Sequence, residues 1–448
     1  MRKMTEGSIA RHLVAYALPL ILGNFFQLTY NAVDSIIIGK FAGEGALAAV
    51  SAANPVMTFV ILGVSGISIG ASVLMSRFYG AGDNDALRRE VATTILFGAA
   101  ASLAVFALGL YFAPQLLLLM NVPADIVPLA QRYLRVIFVG FLFTFQYNIL
   151  AAALRSVGDS RTPVRFLAGA SVLNASLDLL LIGGLGWGVT GAGLATVIAE
   201  GVSALLCAVY IQKRVPPLRL ARQDMHVDRA LLRETVASGS ITALQQACQP
   251  VGKVLIQSVI NAQGISVIAA FNAVSRVDDF AFIPEQSISS AMMTCIAQNR
   301  GAGKQERVRQ TLRRGMQLEA VYAVCIALAI LLLKRPIMLL FAAQDSREMI
   351  DMGVSYLTLM SMLYIMPAMT NGIQGYFRGL GEMKTTLAGT SIQISLRTLV
   401  VALLVPRIGL DGAAWACAVG WSFMLAYAAI RYRQIGRKLK DQQERGCG

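Results

Sequence analysis

The first long apolar run of the chain carries Asn24, Gln27, Asn31 and Asp34, and their spacing of 3, 4 and 3 puts all four on one face of a helix. Ser171, Asn174 and Asp178 share one helical face in a later run, as do Thr196, Glu200 and Ser203 in the next. Two aspartates, a glutamate, an amide and a threonine hydroxyl can therefore converge from three helices. Oxygen ligands at short range replace the hydration shell of Na⁺, whereas crowded, desolvated carboxylates hold a proton near neutral pH. Both chemistries amount to reversible binding of a small cation. The plainer reading is that these groups only hydrogen-bond between helices, and it suits Asn24, Gln27, Ser171 and Ser203 well. It suits Asp34 and Asp178 less, because a carboxylate inside an apolar span is costly to keep.

The second half has its own polar stripe, Gln245, Gln249, Lys253 and Gln257, followed by Asn272, Arg276, Asp278, Asp279 and Glu285. Lys253 and Arg276 need anionic neighbours where water is scarce, and Asp278, Asp279 or Glu285 can supply them. These residues read equally as ion-paired struts and as substrate contacts. Arg397 has two readings as well, a pair with Glu319 or a place lining the cleft. Met349, Met352, Met360, Met362, Met366 and Met369 cluster near one span; flexible thioethers suit varied apolar ligands, although plain packing is the commoner use. The candidate substrate cleft is accordingly Gln27, Asn31, Glu200, Gln249, Lys253, Arg276, Asp279 and Met366.

Helices in a lipid solvent must position these groups. Apolar residues make up 56% of the 448 and charged residues only 14%, with a mean hydropathy of +0.61, too little charge to cover a water-soluble fold. The expected fold is all-α and polytopic. Its twelve transmembrane helices fall near 13–38, 48–75, 91–112, 132–153, 166–184, 190–211, 236–260, 267–296, 316–333, 352–376, 389–406 and 412–430. The net charge of +14 would fit a nucleic-acid partner by itself, but 29 of the 39 Lys and Arg residues fall on the segments that face one side when the N-terminus is inside. That asymmetry is the positive-inside signature. It places both termini in the cytoplasm, assigns the basic residues to topology and lipid headgroups, and argues against nucleic acid.

Met1-Arg2-Lys3 before an apolar run imitates a secretory leader, yet the polar residues within that run and the lack of a small-x-small cleavage pattern make it the first span. Cys207, Cys248, Cys295, Cys325, Cys417 and Cys447 form no CxxC pair, and the first five read as packing residues inside spans. His12 and His226 both fall outside the spans, which excludes a histidine-ligated metal centre there. No cofactor is expected. Pro19 removes a backbone hydrogen bond from the first span and favours a kink near its polar stripe.

An internal repeat organises the chain. At an offset of 221, Ala48-Ala49 falls on Ala269-Ala270, Ile67-Ser68 on Ile288-Ser289, and Gly80-Ala81-Gly82 on Gly301-Ala302-Gly303. Gly188 and Gly191-Ala192 fall on Gly409 and Gly412-Ala413 at the same offset. Six spans per half make the repeats parallel, related by a pseudo-two-fold axis along the membrane normal, with a central cleft between lobes. The expected organisation is an N-lobe over 1–211, a cytoplasmic linker over 212–235 containing Pro216-Pro217, and a C-lobe with a basic tail over 236–448.

With these residues in view, the chain resembles the multidrug and toxic compound extrusion (MATE) family, in its DinF-like bacterial branch. The likeness runs through Pro19, Val33-Asp34 and Gly39, Gly80-Ala81-Gly82, Leu154 to Asp159, Asn174 with Asp178, and Gly191 to Thr196. It continues through Gln298 to Lys304 and Phe377 to Gly381. It implies a monomeric exporter of amphipathic, often cationic organic compounds in a bacterial inner membrane, driven by H⁺ or Na⁺. It also implies a coupling-cation site at Asp34, Asn174, Asp178 and Thr196. Gln249 and Pro367 stand where NorM-like relatives carry carboxylates, so a C-lobe site of that kind is not expected. The rival within the superfamily is a lipid-linked-sugar flippase, to which Lys253, Arg276 and Arg397 lend support. An intramembrane enzyme would need a nucleophile–base pair or metal motif, and the spans contain neither HExxH nor GxSxG. A passive channel leaves the two-lobe repeat with one acidic cluster unexplained.

Overall fold

A computed structural model describes residues 3–341 and 347–445, the last eight of these as backbone alone. Met1-Arg2 and Cys447 lie outside the described residues. Every regular element among the described residues is helical. The main helices are α1 (Ile9–Ile37), α2 (Glu44–Ala81), α3 (Asn84–Leu119), α4 (Val127–Ser156), α5 (Arg161–Asp178), α6 (Gly188–Arg214) and α7 (Arg229–Asn261). They continue with α8 (Ile265–Gly301), α9 (Gln305–Phe341), α10 (Arg347–Leu363), α11 (Ile365–Gly379), α12 (Met383–Ile408) and α13 (Asp411–Arg445). All twelve expected spans are thus helical, the tenth being shared by α10 and α11.

Nine of these helices are long and apolar enough to cross a bilayer, and α10 with α11 makes a tenth bent by 47°. The bend falls within the tenth span expected over 352–376. Its cause is Pro367, which has no N–H to give the Leu363 carbonyl one turn back, so the helix breaks at Tyr364. At 33 and 37 residues α7 and α8 are long enough to span, but they carry the polar stripe of the second half. Outward-facing Val321, Val324, Leu328 and Leu332 on α9 are all more than half exposed and need lipid to cover them. Cys325 belongs to that exposed stripe, whereas Cys207, Cys295 and Cys417 are buried as packing residues.

The chain forms two compact units. The first comprises Met1–Gly7, Ala15–Ala243 and Ala297–Gln305, so it takes in the linker and the last turn of α8. The second comprises Ser8–Val14, Leu244–Ile296 and Glu306–Gly448. Left-handed glycines end helices at equivalent places of the repeat. Gly82 (φ 77°) follows α2 and Gly303 (φ 70°) follows α8, a conformation that a Cβ would strain.

Inside the second unit, Asp278 is a buried node between α8 and the broken span. It accepts hydrogen bonds from Tyr356 (3.0 Å) and Tyr364 (2.7 Å), with Arg397 and Cys417 close by. Arg397 therefore neighbours Asp278 rather than Glu319, contrary to one of its two expected placements. Tyr364→Phe removes a donor from a buried carboxylate and should cost about 1–3 kcal/mol. A thermal melt in detergent reads this as a lower transition temperature, and an unchanged melt would show that Asp278 finds a substitute donor.

Candidate functional site

Three helices of the first unit bring the expected cation-binding residues together. Asp34 closes the polar face of α1 and Asp178 is the last residue of α5. Both helices widen just beyond, switching to π-type hydrogen bonding over 38–42 and 179–184. Such local re-winding is common at functional sites because it re-aims side chains. The Asp34 and Asp178 carboxyl groups lie within hydrogen-bonding reach of each other. Asn174, one turn before Asp178, donates its Nδ2 to Thr196 Oγ1 on α6 at 3.4 Å, and Thr196 in turn donates to the Ala192 carbonyl at 3.1 Å. The Tyr30 hydroxyl, one turn before Asp34, also meets Thr196.

The site is rich in oxygen and poor in donors. Asp34 Oδ1, Asn174 Oδ1 and both carboxylate oxygens of Asp178 are buried without a hydrogen-bond donor, and Asn174 and Asp178 are 1% and 0% exposed. Buried acceptors are ordinarily paired, and an unpaired carboxylate is the costliest exception. Several converging oxygens with no donor are what a bound cation or an added proton satisfies.

A cavity of about 240 Å³ adjoins this cluster inside the first unit. Asn174 and Thr196 line it, as do Gln27, Asn24, Ser171, Glu200 and Ser203 from the three polar stripes. Glu200 accepts a hydrogen bond from the Thr144 hydroxyl, and Asn148 Nδ2 holds the Thr144 carbonyl at 2.8 Å. Tyr30, Thr144, Tyr147, Asn148 and Arg155 complete the polar lining and were not singled out from the sequence. A signal existed for Tyr30, which falls 3 residues after Gln27 and 4 before Asp34 on the same face of α1.

The other candidates are placed differently. Asn31 is exposed and does not line the cavity. Lys253 and Asp279 form an ion pair at 2.6 Å on the second unit, with both side chains more than half exposed. Gln249 and Arg276 are exposed side chains of that unit. Met366 packs against the second unit's apolar core.

A many-spanned, internally repeated helical membrane protein with an acidic pocket inside one half has the build of a solute transporter. The MatE family model matches residues 19–180 and again 242–404, and the chain belongs to this family of multidrug efflux transporters, known as MATE. Relatives include the probable multidrug resistance protein YpnP of Bacillus subtilis, 28% identical, with 97% of this chain and 96% of the relative aligned. An FAD transporter of Shewanella oneidensis is 26% identical over 76% of each chain. Among solved structures, a MOP superfamily transporter from Pyrococcus furiosus matches 98% of both chains with a TM-score of 0.88 at 22% identity, a likeness of fold.

Proposed function

We propose that this protein is a secondary active antiporter and not an enzyme, a monomer in the bacterial inner membrane with both termini cytoplasmic. It exports amphipathic, often cationic organic compounds in exchange for H⁺ or Na⁺. Asp34, Asn174, Asp178 and Thr196 hold the coupling ion, with Tyr30 fixing the Thr196 hydroxyl. The observation that carries this reading is the set of donorless oxygens on Asp34, Asn174 and Asp178 beside a cavity whose wall includes Gln27, Thr196 and Glu200. A cation drives export only if it binds the two access states unequally, and a desolvated carboxylate pair supplies such a difference. The flippase reading loses part of its support because Asp279 neutralises Lys253.

Efflux of a fluorescent organic cation from proteoliposomes tests the reading, with Na⁺ and pH gradients imposed separately. Dye movement driven by either gradient names the ion. A wild-type protein that moves no dye under both would return the lipid-linked-sugar reading to first place. Glu200 is the acidic side chain in the cavity wall itself, so it is the natural counter-ion for a cationic dye. Glu200→Gln should raise KM for the cation about tenfold, equivalent to about 1.4 kcal/mol, with little change for a neutral dye. Equal losses for both dyes would make Glu200 a structural acid.

A further inference from the structure

The second unit contains a carboxyl pair that the antiport reading does not use. Glu319 on α9 and Glu285 on α8 are each 0% exposed. Asn371 Nδ2 donates to Glu285 Oε2 at 3.1 Å, and the Asn371 amide is itself fixed, since it also reaches the Pro367 carbonyl at 3.0 Å. Glu285 Oε1 and both oxygens of Glu319 receive no hydrogen bond. Glu285 lies within electrostatic reach of Glu319, and Asp278 within reach of Glu285. Tyr322 on α9 and Tyr364 at the α10–α11 break are titratable groups also within electrostatic reach. Among the described residues no Lys or Arg forms an ion pair with either glutamate.

Two carboxylates cannot both stay ionised in such surroundings, because like charges without water or a counter-ion repel strongly. The remaining neighbours indicate what relieves them. A Cβ placed on Gly372 of α11 would lie 3.3 Å from Glu319 Cγ, 2.8 Å from Met316 Sδ and 3.8 Å from Met292 Sδ. Glu319 and two thioethers thus pack around the same glycine, and thioethers are soft, weak ligands for a hard cation such as Na⁺ that wants a shell of oxygens. A proton needs no shell. It also supplies the donor that the orphaned oxygens lack.

We propose that Glu285 and Glu319 form a second proton-binding site, which takes up one proton and releases it again during the transport cycle. Asn371 orients it by fixing the Glu285 carboxyl. The proton binding stands on this geometry alone; its part in the cycle rests on the antiport reading.

Infrared difference spectroscopy of the full-length protein in lipid, acid minus alkaline, separates the two. The wild type should show a protonated-carboxyl band that Glu319→Gln removes and Asp34→Asn retains. Glu285→Gln should remove the same band, which keeps the test open if the Glu319 variant accumulates poorly. A difference spectrum unchanged by both glutamine variants would overturn the site. So would a Glu319 carboxyl band that persists at every pH, since that glutamate would then be a fixed structural acid. Loss of the band on adding NaCl at constant pH would make the occupant Na⁺ and overturn it as well. In proteoliposomes, Glu319→Gln should lower the number of protons moved per dye molecule while dye still moves. Failure of the antiport reading would appear instead as no gradient-driven dye movement by the wild type.

Discussion

The Asp34→Asn protein should lose gradient-driven dye efflux while folding at least as well as the wild type. The amide keeps the size of the carboxyl and can donate to Asp178, so the α1–α5 contact survives. What disappears is the charge that, on the antiport reading, makes the site prefer a cation in one access state. Coupling free energies of this kind are about 1–3 kcal/mol, so the driven rate should fall about 5–150-fold. Removing one of two mutually repelling carboxylates also relieves the donorless Asp178 oxygens, and the melting temperature should hold or rise. A strut would behave in the opposite way, with a lower melting temperature and preserved coupling. Asp178→Asn should match Asp34→Asn, and the double variant should add little, because the two carboxyls act as one site. Gradient-driven transport by Asp34→Asn at the wild-type rate would remove the residue from the mechanism.

Helical periodicity made the first-unit cluster legible because Asn174 and Asp178 share one face of α5, and Thr196 shares a face of α6 with Glu200. Each stripe turned inward, and the structure only had to bring the faces together. The same method served the second half less well. Gln245, Gln249, Lys253 and Gln257 are spaced by four, and each step of four overshoots a full turn by about 40°. The stripe therefore winds around α7. Gln245 is buried against Gln374 and Thr390, while Gln249 and Lys253 are exposed. The Glu285–Glu319 pair was not legible at all, since spacing within one helix says nothing about which face of a neighbour it meets. Charge matching alone offers Glu319 as one partner for Arg397, but the arginine lies near Asp278, which is buried under two tyrosines.

The repeat carries the second large effect. Gly80 on α2 and Gly301 on α8 are equivalent at the offset of 221, and so are Arg77 and Gln298. In the first unit these four residues meet reciprocally. A Cβ on Gly80 would collide with the Gln298 carbonyl oxygen, and one on Gly301 with that of Arg77. Both obstacles are backbone, so no side chain can rotate away, and the helix ends must part. The crossing is further tied by the N-terminal segment, where Gln298 Oε1 accepts from the Met4 N–H at 3.0 Å and Gln298 Nε2 donates to the Ser156 carbonyl at 2.7 Å. Overpacking a well-fitted contact costs about 1–3 kcal/mol. On the antiport reading, that cost falls on the access state in which α2 and α8 touch. Gly80→Ala should therefore shift the population away from the crossed state, by about tenfold for each 1.4 kcal/mol. Ser76, one turn earlier on α2 and 1% exposed, reports the shift as a cysteine in a background lacking the six native ones. Its maleimide labelling should accelerate several-fold in Gly80→Ala, with Gly301→Ala giving the same sign. A melting curve that stays cooperative distinguishes opening from unfolding. Labelling rates unchanged by both alanines would mean that the crossing yields locally, and that the glycines serve helix packing without gating access.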